Sequence, residues 1–301
     1  IDVTTMVIDM VQDLPYGHGF QLSTITPQNY RKMIFSSSDH PNPLKWPQLK
    51  VCYVPPAQLV AKVLLDGPWS STAGLMHDSL RVRNMIPLSE PYTGLGFVQT
   101  GGGGGEIVTQ TVLNSTGPDA IVDWVYVALS SSGAIADIVA TRSALLQRDG
   151  DVVDVDGVSP VGFAIPNGLY HVIVKHRNHL GAVTSTPFSM DPPAPLVDFT
   201  MNGSAAYGVG AQKLLGIRYG LWAGDVNQDD LIKYTGSGND RDPILLQIGG
   251  IVATNTVSGY LQTDVNMDGT VKYTGNNNDR DPILVNIGGV VATNIRAAQF
   301  P

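Results

Sequence analysis

The sequence predicts a mostly β protein, built from antiparallel β-sandwich domains and a small C-terminal module. Its apolar segments are short and are separated by turn-forming residues, with 33 Gly and 20 Pro in 301 residues. The segment IVDWVYVAL, which begins at Ile121, is apolar on both faces and is therefore expected to form a central strand. Near the C-terminus, two almost identical segments stand 39 residues apart, as expected for one structural unit used twice.

Composition excludes several classes of function. The net charge of −8 disfavours nucleic-acid binding, which needs clustered Lys and Arg. The sequence has no run of 18 apolar residues, so we expect no membrane span. The single cysteine, Cys52, cannot form an internal disulfide, and its alternating neighbours predict a small buried residue in a strand. Bound metal ions are one kind of clamp that could replace disulfides.

Changes in composition predict three domains. Residues 1–54 contain short strands and are too few for a self-sufficient sandwich. VPPAQ at 54–58 has the composition of a stiff linker, and residues 55–221 then carry several strands of a full immunoglobulin-like (Ig-like) sandwich. From Trp222 to Pro301, Asp, Asn and Gly dominate. GGGGG at 101–105 predicts a flexible loop and not a phosphate cradle, because no Gly-Lys-Ser/Thr follows it.

The N-terminal segment carries a resemblance to a known domain. DVTTMV, HGFQL, SSDHPNP and WPQLKVCY resemble the C-terminal end of the DNRLRE-type (disaggregatase-related) β-sandwich domain of bacterial surface and secreted proteins. The resemblance covers about the last third of such a domain. It implies that the missing strands were either cut away or are supplied by a neighbouring molecule.

The duplicated segment predicts metal binding. Residues 225–255 and 264–294 are identical at 22 of 31 positions, and each begins with Asp-x-Asn-x-Asp. Alternate residues of a tight loop can point their oxygens at one centre, and calcium takes six to eight oxygen ligands. A main-chain carbonyl two residues further on completes the pattern. The predicted ligands are Asp225, Asn227, Asp229 and Leu231 in one loop and Asp264, Asn266, Asp268 and Thr270 in the other.

The later part of each repeat leaves the last ligand open. An EF-hand places a glutamate at its twelfth position, but Gly236 and Gly275 stand there, within an inserted KYTG segment. The acids that follow are Asp240 and Asp242 in the first repeat and Asp279 and Asp281 in the second. Either acid of each pair could bind the ion, while the second acid could also cap a short helix that begins at Pro243 or Pro282. Gly249-Gly250 and Gly288-Gly289 are expected to end these helices.

The sixth position differs between the repeats. Gly269 holds it in the second repeat, as in an EF-hand, whereas Asp230 replaces the glycine in the first. We expect the first loop to be strained or to bind its ion more weakly.

The duplicated loop followed by a helix resembles the dockerin family over residues 222–301. That resemblance implies two calcium sites, with Asp225, Asn227, Asp229 and Asp242 in one and Asp264, Asn266, Asp268 and Asp281 in the other. The KYTG insertion departs from a standard dockerin, which puts cohesin-style recognition in doubt. The units GDVN, KYTG, NDRDPIL and IGG, placed after a sandwich, are similar to the C-terminal regions of large secreted proteins of Bacteroidota.

Other polar clusters are better explained by structure. RDGDVVDVDG, with four aspartates from Asp149 to Asp156, favours a hairpin over a cation site because valines interleave with the acids. His176 and His179 favour a strand-end turn over a zinc site, since no cysteine accompanies them. The neighbouring pairs Asp39-His40 and His77-Asp78 have no nucleophile motif beside them, so the sequence predicts no enzyme.

Together these observations predict a non-catalytic extracellular or cell-surface protein, structural or adhesive, and stabilised by calcium. Its expected partners are proteins, including copies of itself in an oligomer or filament formed by strand sharing. The alternative is a carbohydrate-binding accessory region of a larger secreted enzyme, with glycans as ligands. Aromatic platforms would be its signature, and the available tryptophans are Trp46, Trp69, Trp124 and Trp222.

Overall fold

The computed structural model describes residues 40–45, 56–201 and 205–301. The chain divides into two compact units, 1–54 and 55–301. In the first unit, Pro43–Lys45 form a turn of 3₁₀ helix. Apart from residues 40–42, the rest of the expected partial sandwich, including Trp46 and Cys52, lies outside the described residues. The second unit contains a sheet region, residues 56–221, and a tail, residues 222–301.

The sheet region is mostly β, as predicted. Its strands are β1 (Pro56–Lys62), β2 (Trp69–Ser70), β3 (Leu75–Met76), β4 (Ile121–Ser130), β5 (Ile138–Gln147), β6 (Asp151–Val153), β7 (Val161–Pro166), β8 (Leu169–His176), β9 (His179–Val183), β10 (Phe188–Ser189), β11 (Leu196–Asp198), β12 (Lys213–Leu215) and β13 (Arg218–Gly220). Two one-turn helices, α1 (Ser79–Val82) and α2 (Gln110–Leu113), lie in its loops.

The main sheet has the strand order β10-β8-β4-β5-β6-β1-β11, with β7 paired to β1 and β9 paired to β8. Its pairings are antiparallel except that of β1 with β11. All ten residues of β4 are buried, and Trp124 is fully enclosed. The prediction of a central strand is therefore confirmed, because apolar side chains on both faces of β4 find cover.

Two local predictions need correction. The VPPAQ linker is wrong from Pro56 onward, because Ala57 and Leu59 alternate into the core and make this segment part of β1. The glycine run lies tightly against β5 instead of standing free. A Cβ at Gly103 would come 2.2 Å from the carbonyl oxygen of Thr141, so a bare backbone is needed at this approach.

The tail contains two copies of a strand–helix–strand unit. The first copy consists of β14 (Leu231–Lys233), α3 (Arg241–Gln247) and β15 (Thr256–Ser258). The second consists of β16 (Thr270–Lys272), α4 (Arg280–Asn286) and β17 (Ile295–Ala297). Both helices begin two residues earlier than predicted, so Pro243 and Pro282 stand third in their helices. Proline is tolerated there because first-turn amides have no intrahelical partner.

The two copies exchange strands. β14 pairs with β17, and β15 pairs with β16, so every strand of one copy pairs with a strand of the other. Helix α3 packs against β16, and α4 packs against β14. Buried Ile232, Ile244, Val271 and Ile283 fill the shared core, which also takes in Leu180 from β9. The tail is thus one interlocked unit joined to the sheet region.

Candidate functional site

The first loop, residues 225–242, begins with three side chains that fold back on the main chain. The amide of Asp229 donates to Asp225 Oδ1 at 3.1 Å and to Asn227 Oδ1 at 3.0 Å. The amide of Leu231 donates to Asp229 Oδ1 at 3.0 Å. These short-range bonds are typical of Asp and Asn in turns, and they fix the three side chains in a tight loop.

The second loop, residues 264–281, repeats this pattern. The amide of Asp268 donates to Asp264 Oδ1 at 3.1 Å and to Asn266 Oδ1 at 2.9 Å. The amide of Thr270 donates to Asp268 Oδ1 at 2.8 Å. The amide of Gly269 also donates to Asp264 Oδ2 at 2.8 Å. Identical spacing therefore gives the same loop geometry twice.

Asp240 and Asp279 fasten the two ends of each loop together, and both are fully buried. Asp240 accepts hydrogen bonds from the amides of Val226 at 2.8 Å, Asn227 at 3.3 Å and Lys233 at 2.8 Å. Asp279 accepts bonds from the equivalent amides in the second loop. The two carboxylates therefore close the KYTG insertions and satisfy amides that would otherwise be buried without a partner.

Asp242 and Asp281 lie at the surface. The side chain of Asp242 is 58% exposed and pairs with Arg241, and that of Asp281 is 56% exposed and pairs with Arg280. The predicted capping role is wrong for both. Asn239 Oδ1 accepts the amide of Asp242 at 2.9 Å and so satisfies the first turn of α3, and Asn278 does the same for α4.

Burial changes the ionisation of the acids inside the loops. Desolvation, reinforced by Asp240, Asp230 and Asp229, raises the pKa of Asp225 to about 8. Desolvation also raises the pKa of Asp264, but to about 6, because the nearby Arg177 counteracts it. A positive charge placed in either loop would favour the ionised carboxylates.

The donor set of each loop suits a hard cation. Its side-chain ligands would be two carboxylates and one amide oxygen, joined by the main-chain oxygen of Leu231 or Thr270. Among the described residues, no group of three or more His, Cys, Asp or Glu side chains is arranged as a metal site. Calcium would therefore depend on the Asn and main-chain oxygens that share each loop with the acids.

The KYTG insertions join the two copies. Thr235 Oγ1 donates to the carbonyl of Ala292 at 2.9 Å, and Thr274 Oγ1 donates to the carbonyl of Ala253 at 3.0 Å. Each threonine thus reaches the other copy. The guanidinium of Arg241 lies 5.2 Å from the ring of Tyr234, a cation–π contact that Arg280 and Tyr273 repeat. Sequence reasoning missed these contacts, although the identity of the two insertions was the available signal.

The turn between β8 and β9, together with Lys175 at the end of β8, binds the tail by hydrogen bonds and an ion pair. Asn178 Nδ2 donates to the carbonyls of Gln262 at 3.0 Å and Asp264 at 2.7 Å. Lys175 forms a 2.8 Å ion pair with Asp230 in the first loop. His176 and His179 lie at this strand-end turn, as predicted, but both are buried.

The remaining sequence candidates have structural partners. Asp154 pairs with Arg142 at 2.8 Å, and Asp156 accepts the amide of Ser159 at 2.8 Å, so this acidic run is a hydrogen-bonded turn. His77 Nε2 lies 3.1 Å from the carbonyl oxygen of Asn266 in the second loop.

Two of the tryptophans are also accounted for. Trp124 is enclosed in the core, and Arg296 lies over the ring of Trp222 at 3.5 Å.

In the part of the chain that the structure describes, no helix has the length and apolarity needed to cross a membrane. Comparison of the chain with protein-family models, with curated proteins and with solved structures found no match in any of the three.

Proposed function

We propose that this chain is a non-catalytic extracellular protein, structural or adhesive, whose dockerin-like tail binds two calcium ions. The observation that carries the proposal is the duplicated loop geometry, in which the same three side chains form the same hydrogen bonds twice. Asp225, Asn227 and Asp229 would hold one ion, and Asp264, Asn266 and Asp268 the other. Calcium would supply the positive charge that these crowded carboxylates lack.

The position of the loops supports a bracing role. Each loop leads directly into a strand that pairs with the other copy, and each also contacts the sheet region. An ion in either loop would therefore stabilise the tail and its junction with the sheet region together. Calcium sites of extracellular modules bind with dissociation constants of about 10⁻⁴ to 10⁻³ M, which suits a surface or secreted location.

The same proposal extends to assembly. An Ig-like sandwich preceded by the end of a DNRLRE-type domain would be part of a surface or filament component. Copies of the chain would associate through shared strands, because an exposed sheet edge offers unpaired backbone groups.

Metal content and thermal melting test the calcium sites. The wild type is expected to bind two calcium ions per chain and to melt at a lower temperature in chelator. Asp229→Asn and Asp268→Asn keep the turn-forming oxygen and should each reduce the stoichiometry to one. Asp149→Asn, an acid outside the loops, is the matched control. Equal metal content and melting temperature with and without chelator would refute the calcium sites.

Electron microscopy and sedimentation test the assembly. We expect calcium-dependent oligomers or filaments of the full chain, and monomers under all conditions would refute this part of the proposal. The tail and its calcium content would be unaffected by that result, so the two parts can fail separately.

A carbohydrate-binding accessory role is the second candidate, and one cleft favours it. A cavity of about 570 Å³ lies between the sheet region and the first loop. Phe97 and Tyr126 line one part of it, while Lys175, Gln228 and Asp230 contribute polar groups. Mixed aromatic and polar linings are typical of small-ligand sites. Binding on a glycan array that Phe97→Ala abolishes would favour this role, and an array without binding would count against it.

A further inference from the structure

The turn His176–His179 is buried at the junction between the sheet region and the tail. All four of its residues are at most 2% exposed. Arg177 Nη1 donates to the carbonyl of Leu261, and Asn178 donates to two further carbonyls of the tail. Two histidine rings therefore stand almost fully buried where the two regions meet, and they line the same cavity as Lys175, Asp225 and Asp230.

One backbone amide determines the protonation of both rings. The amide of Gly67 donates to His179 Nε2 at 3.0 Å, so this nitrogen must be an acceptor. Neutral His179 then carries its proton on Nδ1, which lies 2.8 Å from Asn178 Oδ1 and 3.0 Å from His176 Nδ1. His176 Nδ1 is consequently an acceptor, and its proton is on Nε2, which donates to Asp123 Oδ2 at 3.1 Å.

This arrangement leaves no place for an additional proton. A proton on His179 Nε2 would point at the N–H of Gly67. A proton on His176 Nδ1 would point at the N–H of His179. Either charged ring would therefore lose a hydrogen bond and face a donor inside a packed junction, and burial alone already disfavours its charge.

The surrounding charges act in both directions. Asp123 favours a charged His176, but it is already engaged by Arg177 Nε at 2.9 Å and by the hydroxyl of Tyr260 at 2.6 Å. Burial would raise the pKa of Asp123, but Arg177, His176 and Tyr260 together lower it to about 2.

On the other side of the junction, Lys213 lies near His179 and pairs with Asp66 at 2.7 Å. Tyr92 faces Asp123 and Arg177, and Asp264 acts on Arg177. Burial, which is the largest influence, lowers the pKa of His176 despite Asp123. Burial, followed by His176, Arg177 and Lys213, lowers the pKa of His179 well below its usual value.

We propose that this junction is an acid-sensitive latch, in which protonation of His176 and His179 releases the tail from the sheet region. The neutral rings stabilise the closed junction fully above the ordinary histidine pKa. That stability is lost as the pH falls below about 6.5, because the open state binds the additional protons. The opening equilibrium increases by at most about tenfold per pH unit for each histidine in that range.

The contacts of the turn indicate which part opens first. His176 and His179 flank Arg177 and Asn178, the two residues that bond the segment 261–264 before the second loop. The strands β4 and β8 remain paired along Tyr126–Ser130, away from the junction. Acid therefore exposes segment 260–268 while the main sheet persists.

Hydrogen–deuterium exchange of the full chain from pH 7.5 to 5.0 tests the latch. After correction for the intrinsic pH dependence of exchange, amides of 260–268 should open about fivefold to thirtyfold more at pH 5.5 than at pH 6.5. Amides of β4 and β5 serve as the internal reference and should not change. Equal protection of 260–268 at both pH values would overturn the proposal.

A double variant assigns the effect to the histidines. H176Q/H179Q keeps hydrogen-bonding atoms near both Nε2 positions but cannot be protonated. At saturating calcium its junction should open to the same extent at pH 6.5 and 5.5, whereas His171→Gln, on the same strand but outside the junction, should behave like the wild type. Opening of the double variant that still follows pH like the wild type would refute the latch.

Two further measurements separate the latch from calcium release and from misfolding. Exchange at saturating calcium and in chelator should show the same histidine-dependent step, and a step that disappears at saturating calcium would overturn the proposal. Nitrogen NMR of the wild-type rings does not depend on any variant. It should show neutral His176 protonated on Nε2 and neutral His179 protonated on Nδ1 at pH 7.5, and any other tautomer pair would contradict the hydrogen-bond chain.

Discussion

The two acidic loops have the same hydrogen-bond pattern but face different neighbours. At the sixth position, Asp230 in the first loop has a φ of 61°, in the left-handed region, and pairs with Lys175. Gly269 holds the same place in the second loop with a φ of 85°. A Cβ there would come 2.8 Å from Met85 Sδ and 2.9 Å from Arg83 Cδ. The loop sequence therefore diverges where its surroundings do.

The surroundings also change the charge balance. Desolvation, reinforced by the other acids of the first loop, raises the pKa of Asp225 to about 8, whereas Arg177 counteracts desolvation at Asp264 and limits its pKa to about 6. One motif thus has two electrostatic settings, because the turn at 176–179 approaches the second loop. The predicted strain of the first loop is present as the positive φ of Asp230, while weaker ion binding stays a prediction.

The largest expected effect comes from removing the buried carboxylate that both loops have in common. Asp240→Ala and Asp279→Ala each remove a buried carboxylate that accepts three backbone amides. Each should lower the free energy of unfolding by about 3–5 kcal/mol, measured by urea denaturation. The matched surface variants Asp242→Ala and Asp281→Ala should cost less than about 1 kcal/mol. Equal costs for the buried and surface acids would contradict the fastening role.

Charge removal should sharpen the difference between the loops. Asp225 and Asp264 both have a raised pKa. Without calcium, their ionisation therefore destabilises the folded chain increasingly as the pH rises above about 4. At pH 8.5 in chelator, Asp225→Asn should stabilise the protein more than Asp264→Asn does. The gap is at most about 3 kcal/mol by thermal or urea unfolding. The opposite order would show that Arg177 does not compensate Asp264.

Substituting the residue at the sixth position of each loop tests the effect of the residues that surround it. Gly269→Ala meets both an unfavourable φ and crowding by Met85 and Arg83, and it should destabilise the protein by about 1–3 kcal/mol. Asp230→Gly relieves the φ but loses the ion pair with Lys175, so its net change should lie within about 1 kcal/mol. Melting temperatures of the two variants measure the contrast, and similar losses in both would remove the explanation from the surroundings.

The smallest effect concerns the ion pair itself. Lys175→Met keeps the apolar stem but leaves Asp230 without its partner. Because both side chains are partly exposed, the loss should be about 1 kcal/mol or less and should shrink in high salt. A loss that salt does not alter would mean that packing, and not charge, holds the first loop to β8.

The hydrophobic periodicity of the sequence and the identity of its two repeats were sufficient to predict the mostly β class, the central strand β4, the duplication and the two short helices. They were insufficient for contacts that join distant segments. Asp240 was one of two open candidates for the last ligand, and no local pattern indicated that its carboxylate accepts the amides of Val226, Asn227 and Lys233. Likewise His176 and His179 looked like an ordinary turn, because only folding brings Gly67 and Asp123 to their rings.

The cross-pairing of β14 with β17 and of β15 with β16 makes the duplication obligatory. A chain shortened after residue 263 would keep one copy whose strands have lost their mates. Two such shortened chains could restore every pairing by exchanging strands in a domain-swapped dimer. The present tail is equivalent to that dimer with its halves joined in one polypeptide.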